Sequence, residues 1–449
     1  MLSRILKYSL GIVWRSDTQR VMSLTVFGMM LAFVMDIMIA AKLGTGQTAD
    51  SLILALSFPI MLDSVMREGT KSSLVPLFME QKVNLNPEKF QYFISGLFNF
   101  GFLIGIIITV LIEILAPGVI PILTPKLSPA GRSQTVYLLQ ICAPLIIFVP
   151  NITMLSVLLN SQKRFSTAAL RNAIAPGLVV LSLAIFWGLQ DVSYMIAVTH
   201  VLGFALFFVI LLIQSYRHGF KYHWSALPSK TDLRKLGSFS SLQTLGFTLA
   251  QGLRLAERLL ASLVAVGGVS AYYFALRIFS AVQTIIGVSI ATTSLPAMTE
   301  QNLAGDRDRF SKIVRKNLLG TLALTTPIVL AIVFFHKTII SILYGRGAFD
   351  ATSVNLTSQI LFWLGLGLIF NCIIPPLQSV LYAQKRYKAV FMNMVLILLV
   401  NISLAWILSQ MLGLIGISIA LSISVAVAAI NLVYVLHRSG VYLIPQLER

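Results

Sequence analysis

Four ionisable side chains fall within nine residues of one apolar stretch, FPIMLDSVMREGTKSS (Phe58 to Ser73): Asp63, Arg67, Glu68 and Lys71. Asp63 and Arg67 are four residues apart with the acid first, the order that favours pairing along one helix face. Glu68 and Lys71 are three apart on a neighbouring face. Two readings stand side by side: two local ion pairs that neutralise each other, or the wall of a water-filled cavity. A second group follows in GLRLAERLLAS, with Arg254, Glu257 and Arg258, and a third charge, Arg277, lies in YYFALRIFS with no acid within helical reach. Arg254 and Arg258 share a face, and Glu257 can pair well with only one of them. An ionisable group at the centre of a bilayer costs about 2.5–3.5 kcal/mol on insertion scales, so each should face a partner or a cavity. The surplus is cationic: Arg67, Lys71, Arg254, Arg258 and Arg277 against Asp63, Glu68 and Glu257. Guanidinium groups in that setting suit a phosphate or diphosphate, which arginine grips with two parallel hydrogen bonds. A transporter of drug cations would favour the opposite sign.

Other ionisable groups carry less. Asp36 is a further candidate in the first span, while Glu113 and Arg171 lie nearer predicted span ends and are expected to snorkel. His200, Cys142 and Cys372 read as packing residues. No G-x-x-x-x-G-K-[ST] phosphate loop, metal cluster or nucleophile–base arrangement stands out, so neither ATP hydrolysis nor another enzymatic activity is expected, and no cofactor.

The elements that must position these charges are membrane spans. Of 449 residues, 57% are hydrophobic and 11% charged, against about 25% charged in a soluble domain. Runs near 20 apolar residues recur, each long enough for a hydrocarbon core of about 30 Å. The pattern predicts twelve spans, at 21–42, 50–66 continuing to 80, 92–116, 134–160, 167–188, 192–214, 237–264, 270–298, 317–336, 353–380, 389–410 and 412–436. The second is the least regular, interrupted by Pro59, Gly69 and Pro76. The fold class expected is an all-α membrane protein of about twelve transmembrane helices, and the ten-residue alternation of a β-barrel is absent.

Net charge is +18. Counted on alternate sides of the spans, Lys and Arg number 23 against five. The positive-inside rule then puts both termini in the cytoplasm and makes the basic excess topological, which removes nucleic acid as a partner. The basic first 20 residues lack a small-residue cleavage site after their apolar core and read as an interfacial helix rather than a signal peptide. The longest polar connection divides the chain into a lobe at 1–214, a basic cytoplasmic linker at 215–236 and a second lobe at 237–449. SLVPLFMEQ (73–81) echoes SLPAMTEQ (294–301), and SQKRFSTAALRN (161–172) echoes AQKRYKAVFMN (383–393), at offsets of 220 and 222. Two parallel six-helix repeats around a central substrate path are the plan of many secondary transporters.

Several stretches resemble the MviN/MurJ lipid II flippases of the multidrug/oligosaccharidyl-lipid/polysaccharide exporter superfamily. TADSLILALSFPIMLDSVMREGTKSSLVPLF is similar to their second-helix signature. AERLLASLVAVGGVSAYYFALRIFSAVQTIIGVSIATTSLPAMTE is similar to their seventh and eighth helices, and ILYGRGAFD and VLYAQKRYKAVFMN to the region of the ninth to eleventh. The resemblance implies two lobes around a cationic cavity in the inner membrane, alternating access, and a lipid-linked saccharide on undecaprenyl diphosphate as substrate. It matches Arg277 to a cavity arginine, Asp50 to the acid opening the second helix, Glu68-Gly69 to its E-G pair and Asp36 to the acid closing the first-helix motif. It further implies a monomer, with coupling to membrane potential, Na+ or H+. The chain departs from the pattern at Met29, Met35 and Asp63, where arginines are expected, and at Ser280, where an acid is expected. An exopolysaccharide repeat unit therefore fits as substrate alongside a lipid II-like peptidoglycan precursor. Two other classes remain: an ion-coupled solute or drug antiporter, and a scaffold for a glycan synthase complex that transports nothing.

Overall fold

A backbone in hydrocarbon must satisfy its own N–H and C=O groups, which leaves the helix as the solution for a chain this apolar. The computed structural model describes residues 17–162, 164–224, 228 and 242–438, and these contain helices, turns and no strand. The first sixteen residues of the expected basic N-terminal helix lie outside the described residues. So does the expected linker past Trp224, apart from residue 228. Ten helical stretches among the described residues are long and apolar enough to span a membrane. Arg171–Ile185 is a shorter apolar helix, and Leu242–Val264 is amphipathic, carrying Arg254, Glu257 and Arg258. With these two, all twelve expected spans fall on helices, the first five residues of the seventh, 237–241, lying outside the described residues. By internal contacts the chain divides into two units: Met1–Lys42, Leu54–Ile122 and Ser128–Thr244 in one, Leu43–Ile53, Leu123–Leu127 and Leu245–Arg449 in the other.

The first unit contains α1 (Asp17–Leu43), most of α2 (Gln47–Asn84), α3 (Pro87–Leu123), α4 (Pro129–Cys142), α5 (Leu145–Ser161), α6 (Phe165–Ala169), α7 (Arg171–Ile185) and α8 (Ser193–Arg217). Three spans differ from expectation. α2 runs unbroken through Pro59, Gly69 and Pro76. The 134–160 span instead breaks at Ala143 and Pro144, where the Ile146 and Ile147 amides bond three residues back, to the Ala143 and Pro144 carbonyls, because proline has no N–H to continue the ladder. The 167–188 span breaks at Leu170, which places Arg171 at the start of α7.

Leu77, Phe78, Phe90, Phe93, Phe98, Leu155, Phe207 and Phe208 form the core that joins α2, α3, α5 and α8. A polar stripe on α3 holds an extended strap that follows α8. Gln91, Ser95 and Asn99 sit four residues apart, one above another on a helix. Gln91 donates to the Gly219 carbonyl and accepts from the Lys221 amide, both at 2.9 Å. Ser95 accepts from the His223 amide at 3.1 Å. Asn99 donates to the Trp224 carbonyl at 3.1 Å and accepts from the Tyr222 hydroxyl at 2.6 Å. The His223 ring stacks on Tyr92, centroids 4.1 Å apart.

The second unit holds the first turns of α2, nearly all of α9 (Leu242–Val264), α10 (Gly268–Val282), a π-helical turn (Gln283–Val288), α11 (Ser289–Ala304), α12 (Arg307–Tyr344), α13 (Ala351–Ala383), α14 (Tyr387–Leu412) and α15 (Leu414–Arg438). α13 is its central element, packed against α10, α11, α12 and α15. Pro375 and Pro376 lie inside it and offer no N–H to the Asn371 and Cys372 carbonyls one turn back. The π turn meets that gap. Gln283 Nε2 donates to the Asn371 carbonyl at 3.3 Å and to Asn371 Oδ1 at 3.0 Å. Gly287 approaches so closely that a Cβ on it would stand 2.5 Å from the Cys372 carbonyl oxygen.

Candidate functional site

Among the described residues, intramembrane charges gather in each unit, from helices distant in sequence in the first and from consecutive helices in the second. In the first unit, Asp63 on α2 pairs with Arg171 on α7, their side chains 10% and 9% exposed. This replaces the expected Asp63–Arg67 pair. Arg171, expected to snorkel, is instead buried, because a guanidinium held within the helices gains more from a carboxylate it can reach than from distant water. Arg67 turns to α7 as well, its Nη1 donating to Asn172 Oδ1 at 3.1 Å. Its Nε lies 3.5 Å from Glu68 Oε1. Glu68 is thus joined to Arg67, while the side chain of Lys71, its expected partner, lies outside the described residues. α1 presses against this junction: a Cβ on Gly28 would meet the Asn172 backbone at 2.9 Å. Asp36, also on α1, is fully buried.

In the second unit the charges come from α9 and α10. Arg254, Glu257 and Arg258 project from α9 over slightly more than one turn. Arg258 lies with its guanidinium carbon 5.3 Å from the Tyr273 ring centroid, in cation–π contact. Arg277, one turn beyond Tyr273 on α10, is within electrostatic range of Arg258. Glu257 is only 2% exposed. Asn401 Nδ2 on α14 donates to Glu257 Oε1 at 3.1 Å and to Ser424 Oγ on α15 at 3.3 Å, and the Tyr272 hydroxyl faces the same carboxylate. The lone acid of the cluster is thus engaged by neutral polar groups as well as lying within range of Arg254 and Arg258. Three guanidinium groups against one carboxylate leave the cluster with a formal charge of +2, a setting for a polyanion.

Asp50 plays a different part. Fully buried at the start of α2, its carboxylate accepts from the Gly267 amide at 2.6 Å, the Ser270 amide at 2.8 Å and the Ser270 hydroxyl at 2.6 Å. It therefore caps the N-terminus of α10, where free amides favour an anion. Gly267 adopts φ +79°, and a Cβ there would lie 2.7 Å from the Thr45 carbonyl oxygen. Both the conformation and the space exclude a larger residue.

Sequence reasoning missed Asn172, Tyr272, Tyr273, Asn401 and Ser424. Asn401 offered a signal, as an amide within a long apolar run. The others belong to types that spans tolerate without a functional reason.

Comparisons with known proteins extend over the same helices. A family model described as lipid II flippase MurJ matches residues 39–448. A probable lipid II flippase MurJ from Thermotoga maritima is 26% identical over 404 residues, 89% of this chain and 80% of the relative. The lipid II flippase MurJ of Burkholderia cenocepacia is 22% identical over 440 residues, 93% and 83% of the two chains. Among solved structures, a lipid II flippase MurJ in an inward closed conformation superposes with a TM-score of 0.82 at 23% identity, covering 93% of this chain and 87% of the other. A multidrug resistance MATE family transporter of the MOP superfamily superposes at 0.75 with 14% identity, covering 92% and 95%.

Proposed function

The chain belongs to the lipid II flippase MurJ family, and from that premise we propose that it moves a polyprenyl-diphosphate-linked saccharide across the bacterial inner membrane by alternating access. The substrate is a lipid II-like peptidoglycan precursor or a related exopolysaccharide unit. One observation carries the reading: the guanidinium groups of Arg254, Arg258 and Arg277 come together in a single unit beside the carboxylate of Glu257. Arg277 binds the diphosphate directly. Arg258, in cation–π contact with Tyr273, and Arg254 supply the surrounding positive potential. A bound anion shifts the conformational equilibrium to the extent that it binds one state better than the other. Replacing Arg277 by Ala is expected to lower flipping of a diphosphate-linked lipid in proteoliposomes by about tenfold or more, the scale of one lost charge-assisted hydrogen-bonding group, with unchanged thermal unfolding. Undiminished flipping would remove Arg277 from the site.

An ion-coupled antiporter on the same fold is the second reading, favoured by the likeness to MATE transporters. A cationic drug would, however, meet three arginines beside one acid. Three of the acids serve other roles here. Asp63 and Glu68 hold arginines, and Asp50 caps α10. Glu257 is suited to couple transport to H+ or Na+, because Asn401 Oδ1 beside it is buried with no hydrogen-bond partner among the described residues. The Glu257 carboxylate is itself a donor type that suits a hard cation. Replacing Glu257 by Gln is expected to make flipping insensitive to imposed Na+ and pH gradients. A variant that keeps the full gradient dependence would exclude it as the coupling acid.

A further inference from the structure

The turn between α12 and α13 carries charge that the transport reading does not use. The end of α12, residues 345–350 and the start of α13 enclose an open groove of about 760 Å3, whose lining includes Lys337, Thr338, Ser341, Ile342, Arg346 and Asp350. Arg346 is fixed at the C-terminus of α12, where its Nη2 donates to the Ile342 and Leu343 carbonyls at 2.6 and 2.9 Å. Its Nε and Nη1 take no part in those bonds. Lys337 lies about two and a half turns earlier on α12, just past the kink at Phe335 (φ −121°, ψ 17°), and is exposed. Thr338 and Ser341 add hydroxyl donors. Asp350 is the groove's one acid, and its charge is already committed: its carboxylate caps α13, accepting from the Ser353 amide at 2.8 Å, and that bond holds it below the usual carboxylate range.

The groove sits where two spans end together, Asp308–Tyr344 and Ala351–Ala383. That is the depth of lipid headgroups. Its lining is apolar as well as basic, since Ile342, 68% exposed, belongs to it together with Phe349, Ala351 and Val354. A soluble anion has no use for that apolar lining, and a cation would meet Lys337 and Arg346. We propose that this groove binds the phosphate of an anionic glycerophospholipid, gripped by Arg346 and Lys337 with the glycerol and upper acyl chain against Ile342. The turn beneath it is braced by the segment that also bears Asp50: Thr45 Oγ1 donates to Ser353 Oγ at 2.8 Å, and a Cβ on Gly44 would stand 2.3 Å from the Ala348 carbonyl oxygen. A lipid held here bears directly on that segment.

The test is competitive retention of phosphatidylglycerol and phosphatidylcholine by the full chain, read by native mass spectrometry from mixed micelles. Because Arg346 also caps α12, the variants are Lys337→Glu and Ser341→Asp, with Lys388→Glu as a control at an exposed basic position outside the groove. The intact protein should prefer phosphatidylglycerol. Each groove variant should cut that preference about fivefold or more, the weight of one cation near a membrane surface. Lys388→Glu and millimolar inorganic phosphate should leave it unchanged. Equal loss in Lys388→Glu would mean diffuse charge attraction, and displacement by phosphate would mean a free-anion site. Either result, or groove variants that retain the full preference, overturns the proposal.

Discussion

At the scale of single residues, the Asp63–Arg171 pair decides more than its sequence spacing suggested. Asp63 has a cation one turn away on its own helix, yet it engages one 108 positions distant. Both side chains are about nine-tenths buried, so removing one strands the other charge. Arg171→Ala is therefore expected to destabilise the protein by about 3–5 kcal/mol, whereas the double variant Asp63→Asn, Arg171→Gln recovers much of that loss. Thermal unfolding in detergent reads both, and a single variant as stable as the parent would mean that water reaches the pair. Arg67 escapes this role. At 31% exposure, bound to an amide and a neighbouring acid, its guanidinium is less committed than that of Arg171.

At the scale of elements, polar groups do the joining that apolar patterns cannot. On α3 the residues Gln91, Ser95 and Asn99 look like an ordinary solvated face in sequence. In the fold they take up the backbone of residues 219–224 one peptide after another. Removing the Ser95 hydroxyl leaves the His223 amide without its acceptor. Ser95→Ala is expected to speed hydrogen exchange in that strap by about tenfold, the weight of one net hydrogen bond, with no change in α3. Unchanged exchange would mean that the Gln91 and Asn99 contacts suffice. The π turn after α10 follows the same logic. Gln283 satisfies a carbonyl that Pro375 leaves without a donor, so a rare helix type and a proline pair, each costly alone, meet at one place.

At the scale of the whole molecule, the balance of basic residues carries the prediction. With 23 lysines and arginines on one side of the spans against five on the other, cysteines introduced at Lys126 and Lys385 should label oppositely. The first is expected to react with an impermeant thiol reagent in intact cells, the second only after permeabilisation. The reverse pattern would invert the proposed topology. Span number and helix content were legible from the sequence because both depend on local length and on the cost of burying bare backbone. The cationic sign of the charge inside the spans was legible because intramembrane charge is expensive enough to be informative wherever it occurs.

What the sequence could not supply is partnership. The i,i+4 rule pointed Asp63 to Arg67, but that rule describes an isolated helix in water, where neighbours along the chain are the only ones within reach. Among packed helices, a carboxylate takes the cation that packing brings to it, and α7 brings Arg171 beside Asp63. Glu257 likewise shared a turn with two arginines, yet it accepts a hydrogen bond from Asn401, on a helix that only the fold brings beside it. Asp50 caps a helix 217 residues away. The chain by itself determined how many times it crosses the membrane and which sign of charge it carries inside. Tertiary packing decided which of those charges bind one another, because a buried charge selects its partner by distance in space and not along the chain.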